Sequence, residues 1–227
     1  GSFVNLNDGL GQVMGVCTFN PESKIAARFM GRTEGQIINK DWLQAKLTTA
    51  LSLRDRLYDK PFYRLIHAEA DGLPGVIIDR FGDTAVIQPN ATWAEDMLGD
   101  FTEILTKDLG ITTLVKNASG RARKLEGLDD VTVILAGKVD GPIAVSMNGA
   151  TFMADVLGGQ KTGLFFDQRP NHAFAASLAR NARVLDVFSH VGGFSLTCLA
   201  HGAASATAID GSEPALELAQ LGAAEMG

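Results

Sequence analysis

Three stretches of this 227-residue chain have residue types and spacing that could do chemistry. The first is the polar, glycine-bearing loop Gln160-Lys161-Thr162-Gly163-Leu164-Phe165-Phe166-Asp167-Gln168-Arg169. The second is the apolar run Arg183 to Phe188, which contains Asp186 and leads into the adjacent glycines Gly192 and Gly193. The third is a second apolar run, Ser205 to Ile209, that ends on Asp210 and is followed by Ser212. A carboxylate at the tip of a parallel strand, about 20 residues beyond a glycine turn, can accept both hydroxyls of a ribose. Paired glycines let a ligand approach the backbone closely. The N–H groups at the start of the following helix suit an electronegative ligand group. Together these point to a nucleoside cofactor. The spacing is not that of a dinucleotide fingerprint, because the next glycine after Gly193 is Gly202.

The elements that must position these residues follow from periodicity. Arg183 to Phe188 reads as a buried parallel strand, Phe194 to Ala200 as a buried helix, and Ser205 to Ile209 as a second strand. A helix over Pro170 to Asn181 precedes them, and Glu213 to Met226 forms the last helix, behind Ser212 and Pro214. This is the opening of an α/β sheet, in which ligands bind beyond the carboxyl ends of the strands.

Upstream, Val13 to Phe19 and Lys24 to Met30 read as a hairpin around Asn20-Pro21-Glu22-Ser23. A helix opens at Asp41 and carries Trp42, Leu43, Leu47, Ala50, Leu51 and Leu57, with Trp42 as a core residue. Tyr63 to Gln88 supplies three strands around the turns Asp71-Gly72-Leu73-Pro74-Gly75 and Gly82-Asp83. The polar set His67, Glu69, Asp71, Asp79 and Arg80 reads as loop caps, with Arg80 paired to one of the turn acids. Ala94 to Leu109 reads as one helix stopped by Gly110. Strands follow at Thr112 to Lys116, Val131 to Ala136, Ile143 to Met147 and Thr151 to Val156. The basic run Arg121-Ala122-Arg123-Lys124 reads as a solvated loop.

Composition bounds the class. Hydrophobic residues make up 46% of the chain and the net charge is −6. No apolar run reaches the length of a membrane span, and the acidic balance gives no support to a dedicated nucleic-acid binder. Cys17 and Cys198 lie far apart without C-x-x-C spacing, so neither a zinc site nor a disulfide scaffold is expected, and a reducing cytoplasm is the simplest home.

The motifs Gly159-Gln160-Lys161-Thr162-Gly163 with Asp167-Gln168-Arg169, and Val184-Leu185-Asp186-Val187-Phe188 with Gly192-Gly193-Phe194-Ser195, resemble those of class I S-adenosylmethionine-dependent methyltransferases. The resemblance is to the large-subunit ribosomal RNA cytosine-5 methyltransferases, and Tyr63 to Asp83 is similar to their central domain. His190-Val191 departs from the Tyr-Thr that this family commonly carries before the glycine pair. The resemblance implies a PUA-like β remnant over residues 1–40, a small central α+β domain over 41–149, and the first βα units of a Rossmann-like domain over 150–227. It also implies a chain truncated at both ends and an rRNA substrate; a homodimer is a separate expectation. The implied cofactor-binding residues are Lys161, Thr162, Gly163, Phe165, Gln168, Arg169, Asp186, Phe188, Gly192, Asp210 and Ser212, with Lys161 near the methionine carboxylate and Asp210 on the ribose.

In that family a cysteine attacks cytosine C6 to activate C5. The resemblance places that nucleophile beyond the second Rossmann strand, so no catalytic residue and no methylation by this chain alone are expected. Two other function classes share the sequence features: a nucleotide-dependent oxidoreductase, and a non-catalytic RNA-binding or assembly module.

Overall fold

The computed structural model describes residues 1–227 and divides into two units, residues 1–138 and 139–227. In the first unit, β1 (Ser2–Asn7), β2 (Val13–Phe19) and β3 (Ala27–Gly31) form an antiparallel sheet in that order. The β2–β3 hairpin was expected; β1 was not. Asn20 and Ser23 in its turn reach Glu126, which also accepts from Arg28 Nη2 at 2.9 Å.

Helix α1 (Lys40–Leu57) is capped by Asn39, whose side-chain oxygen accepts from the Trp42 N–H at 3.0 Å. It therefore begins before the expected Asp41. It buries Trp42, Leu43, Leu47 and Ala50 in the core cluster. The five-stranded sheet behind it runs β4 (Phe62–His67), β5 (Val76–Phe81), β6 (Thr84–Pro89), β7 (Thr113–Lys116), β8 (Val133–Ala136). All its pairings are antiparallel except β6 with β7. The helix expected over Ala94 to Leu109 is broken into α2 (Thr92–Asp96), α3 (Leu98–Glu103) and a π turn over Ile104–Asp108. Burial of Trp93, Phe101, Ile104 and Leu105 in one core outweighs a continuous helical hydrogen-bond ladder.

The polar set between β4 and β5 is structural, with one correction. Asp71 is held by Arg54 of α1 through both terminal guanidinium nitrogens, at 2.8 and 2.7 Å. Asp79 pairs with Arg64 at 2.9 Å. Arg80 instead donates to the Gly82 carbonyl at 2.8 Å and takes no turn acid. The basic run also differs from expectation. It forms the short helix α4 (Arg121–Leu125), and Arg123 is fully buried rather than solvated.

In the second unit β9 (Ile143–Met147) pairs antiparallel with β10 (Ala150–Ala154), around the turn Asn148-Gly149. β9 thus forms a two-stranded sheet with β10 and lies in the second unit, which begins at residue 139. Helix α5 (Arg169–Ser177), β11 (Arg183–Val187), α6 (Gly193–Ala200), β12 (Ser205–Ile209) and α7 (Glu213–Ala224) follow. β11 and β12 are parallel, as expected. They pair only with each other, so the expected burial of this run is not met: Leu185, Val187 and Ile209 stay exposed. Helix α6 packs on the pair, while α6 and α7 both pack against β10. No helix of the chain is long and apolar enough to cross a membrane.

Candidate functional site

The site is built where the loop over 160–168 meets the loop over 188–194. Together they line a cleft of about 330 Å³, with Lys161, Phe165, Asp167 and Gln168 on one side and Phe188, Ser189, His190 and Gly193 on the other. His172 of α5 and Phe194 of α6 complete the wall. The volume lies at the small end of the usual ligand range. The backbone is strained there. Lys161, Phe188 and His190 have φ of 52°, 63° and 50°, and all three line the cleft. Non-glycine residues in this region cost about 1–3 kcal/mol each, and such strain gathers at functional sites. Phe188 is 89% exposed despite its size. Lys161 Nζ sits 4.4 Å above the Phe165 ring, and His190 meets that ring edge-on at 4.8 Å.

The two aspartates of the sequence motif hold this geometry. Asp210 accepts from the His190 N–H at 2.8 Å and from the Ser212 N–H at 2.9 Å. Those backbone donors hold its carboxyl below the usual carboxylate range. Asp186 is buried and accepts from the Ser195 N–H at 3.0 Å. Ser195 is the third residue of α6 after its cap, Gly192. Asp186 thus caps α6 from the neighbouring strand, and its charge already complements the positive end of that helix. One N–H group of this helix end is therefore taken, and by a negative charge, which leaves fewer of its donors for the expected ligand group.

Of the other expected residues, Lys161, Phe165, Gln168 and Phe188 line the cleft. Thr162 is fully buried and its hydroxyl donates to the Leu164 carbonyl. Gly163, with φ of 99°, shapes the loop. Arg169 starts α5, and its carbonyl accepts from Asn148 Nδ2 at 2.8 Å. Gly192, at φ 79°, caps α6, and Ser212 caps α7 by accepting from the Ala215 N–H. These five build the cleft's frame rather than its surface.

Sequence reasoning missed His172 and Ser189. Both are about 95% buried cleft residues, and His172 Nδ1 and Ser189 Oγ have no hydrogen-bond partner. A buried unsatisfied polar atom costs about 1–3 kcal/mol and calls for an explanation at a site of this kind. His172 sat unremarked within a helical pattern; nothing in its spacing marks it. It stacks on Phe152 and meets Phe194 edge-on at 4.5 Å, filling space left by Gly193, where a Cβ would lie 2.5 Å from the ring.

Burial lowers the pKa of both His172 and His190 from the ordinary 6.5, against opposing pulls from Asp186 and Asp167 on the first and Asp210 on the second. The unfolded chain therefore takes up protons near pH 6.5, where the folded chain does not. Stability is full above about pH 6.5 and falls as pH drops towards the lowered folded values. Thermal melts between about pH 7.5 and 5.5, above most carboxylate titration, are expected to show this loss. His190→Asn, which tolerates the left-handed backbone, and His172→Asn should each flatten part of the slope. An unchanged slope in both would show that neither imidazole is kept neutral by burial.

The thiols of Cys17 and Cys198 are pushed up by burial, with Asp186 adding to the effect on Cys198. Neither is an activated nucleophile. No group of three His, Cys, Asp or Glu residues is placed to hold a metal ion.

Comparison with known proteins gives a consistent picture. Residues 120–220 match the family model described as S-adenosylmethionine-dependent methyltransferase. The Alteromonas mediterranea protein named ribosomal RNA large subunit methyltransferase I is 36% identical over 223 residues, covering 97% of this chain and 56% of that protein. The Photobacterium profundum protein of the same name is 33% identical over 225 residues, covering 97% and 57%. The chain thus spans just over half the length of these relatives. Among solved structures, one described as a SAM-dependent methyltransferase from Streptococcus mutans superposes with a TM-score of 0.83 at 18% identity, covering 97% of this chain and 58% of its own. Another, a methyltransferase complexed with SAH, gives 0.82 at 17% identity, covering 97% and 57%. These two likenesses establish the fold. Across nearly its whole length the chain is similar to the proteins named ribosomal RNA large subunit methyltransferase I, and its residues 120–220 match the S-adenosylmethionine-dependent methyltransferase family model.

Proposed function

We propose that the cleft of the second unit binds S-adenosylmethionine, and that the protein is an RNA methyltransferase forming 5-methylcytosine in large-subunit ribosomal RNA. One observation carries the reading: both sequence motifs, 160–168 and 188–194, converge on one strained, aromatic-lined cleft. The names of the relatives support the substrate class. When bound, the cofactor supplies an electrophilic methyl group on a sulfonium, and the protein's work is largely positioning.

The residues fit that work. Each Asp210 oxygen accepts one backbone N–H and keeps a further lone pair for a ribose hydroxyl. With Asp186 taking one N–H of the α6 terminus, Lys161 is the positive group for the methionine carboxylate. Gln168 adds a neutral donor and acceptor. The three-stranded sheet of β1 to β3 is in keeping with the end of a PUA-like domain. The free cysteines are in keeping with a reducing cytoplasm.

The test is calorimetric titration of S-adenosylmethionine into the chain and into Asp210→Ala and Asp210→Asn. Removing this half-buried charged acceptor is expected to weaken binding about tenfold, near 1.5 kcal/mol, at the low end for such groups. Asn keeps one acceptor and should lose less. Equal affinity in all three would remove Asp210 from the site.

A further inference from the structure

We infer that the Phe165 ring is a cation subsite that selects the sulfonium form of the ligand over its uncharged thioether product, and that Lys161 occupies this subsite when the ligand is absent. The inference rests on the reading that the cleft binds S-adenosylmethionine.

The ring already holds a cation. Lys161 Nζ lies 4.4 Å from the Phe165 centroid, well inside the range of about 6 Å for an ammonium drawn to a ring face. Lys161 keeps that position on a strained backbone, φ 52°. The surroundings are aromatic: His190 is packed edge-on to the same ring, and Phe188 and Phe194 line the cleft with it. Burial keeps the His190 imidazole neutral, so it adds no competing charge. Aromatic walls of this kind recognise quaternary ammonium groups. A sulfonium is a cation of the same type, without N–H donors, and gains more from ring faces than from hydrogen-bond acceptors. The thioether product carries no charge and gains nothing from the ring quadrupole. Asp167 also lines the cleft and favours any cation, so the contribution of the ring must be isolated by changing the ring alone.

Two cations do not share one ring face. When the sulfonium arrives, the Lys161 ammonium is displaced towards the carboxylate of the same ligand. Lys161 therefore acts twice: it binds the carboxylate common to both ligand forms, and it competes with the sulfonium for Phe165. Removing it weakens the thioether more than the sulfonium. Removing the ring weakens the sulfonium alone. These opposite signs distinguish the inference from a general loss of binding.

The experiment measures Kd for S-adenosylmethionine and S-adenosylhomocysteine by calorimetry on the wild-type chain, Phe165→Leu, Phe165→Tyr and Lys161→Met, with circular dichroism to check folding. Phe165 is half-buried at a loop, so leucine should be accommodated, and tyrosine preserves the ring should leucine fail. The ratio Kd(homocysteine form)/Kd(methionine form) is expected to fall about threefold to tenfold in Phe165→Leu, to stay near wild type in Phe165→Tyr, and to rise about threefold in Lys161→Met. Equal weakening of both ligands in Phe165→Leu, or a ratio that falls or stays fixed in Lys161→Met, overturns the inference while leaving the cofactor assignment intact. If neither ligand binds the wild-type chain, the cofactor assignment fails and the inference with it.

Discussion

Arg123→Met is expected to destabilise the first unit by about 3 kcal/mol, the low end for breaking a buried ion pair by removing one partner. Arg123 is fully buried. Its guanidinium donates to the Pro89 carbonyl, to Glu95 at 2.8 Å, and to the Asp129 carbonyl and carboxylate at 2.7 and 3.2 Å. Removal leaves the Pro89 carbonyl without that donor. Glu95 keeps Lys116 at 2.8 Å, and Asp129 is over half exposed, so both acids are partly compensated. That is why the lower figure applies. Both tryptophans, Trp42 and Trp93, lie in this unit, so their fluorescence in urea reports it alone. Lys124→Met, whose side chain is 70% exposed, is the control and should shift stability by less than about 0.5 kcal/mol. A similarly small shift for Arg123→Met would restore the reading of this run as a solvated loop.

That reading shows where sequence stops being informative. The three basic residues of this run look alike on paper, yet Arg123 is buried while Arg121 and Lys124 sit on the surface. Distance along the chain gives no access to Glu95, 28 residues away. Periodicity placed α1 and the strands β2, β9 and β12 closely, because each has an apolar pattern set by its own neighbours. It failed at Ala94 to Leu109, where tertiary packing overrides a continuous helix. The cleft was half legible. Asp186 and Asp210 are marked by strand-end position and Gly192 by the glycine pair, but the roles of the two acids as cap and loop anchor depend on hydrogen bonds from Ser195 and His190. His172 and Ser189 carry no local mark at all.

Gly163→Ala is expected to weaken ligand binding to the cleft severely. A Cβ on Gly163 would lie 2.5 Å from the Asp155 carbonyl oxygen and 2.9 Å from its carbon, both backbone atoms that cannot swing away. The φ of 99° adds strain for any L side chain. The loop must therefore lift off the end of β10, carrying Lys161, Phe165 and Gln168 with it. Strain of about 1–3 kcal/mol plus the steric overlap should weaken ligand binding by at least about thirtyfold. Gly141→Ala, where a Cβ meets nothing within 4 Å, should bind as wild type. Calorimetry on the two variants decides the point, and near-normal affinity in Gly163→Ala would show that this loop does not form the binding surface.

The most direct test of a cofactor site in the second unit is an amide chemical-shift map of the chain titrated with S-adenosylhomocysteine. The largest saturable shifts are expected at 161–168 and 188–195, with no matching response to NAD. A second cavity, among Leu196, Leu199, Ala208, Leu216 and Ala219, offers an alternative location for the ligand. Shifts confined to that cavity, an equal response to NAD, or no shift at all would contradict the account.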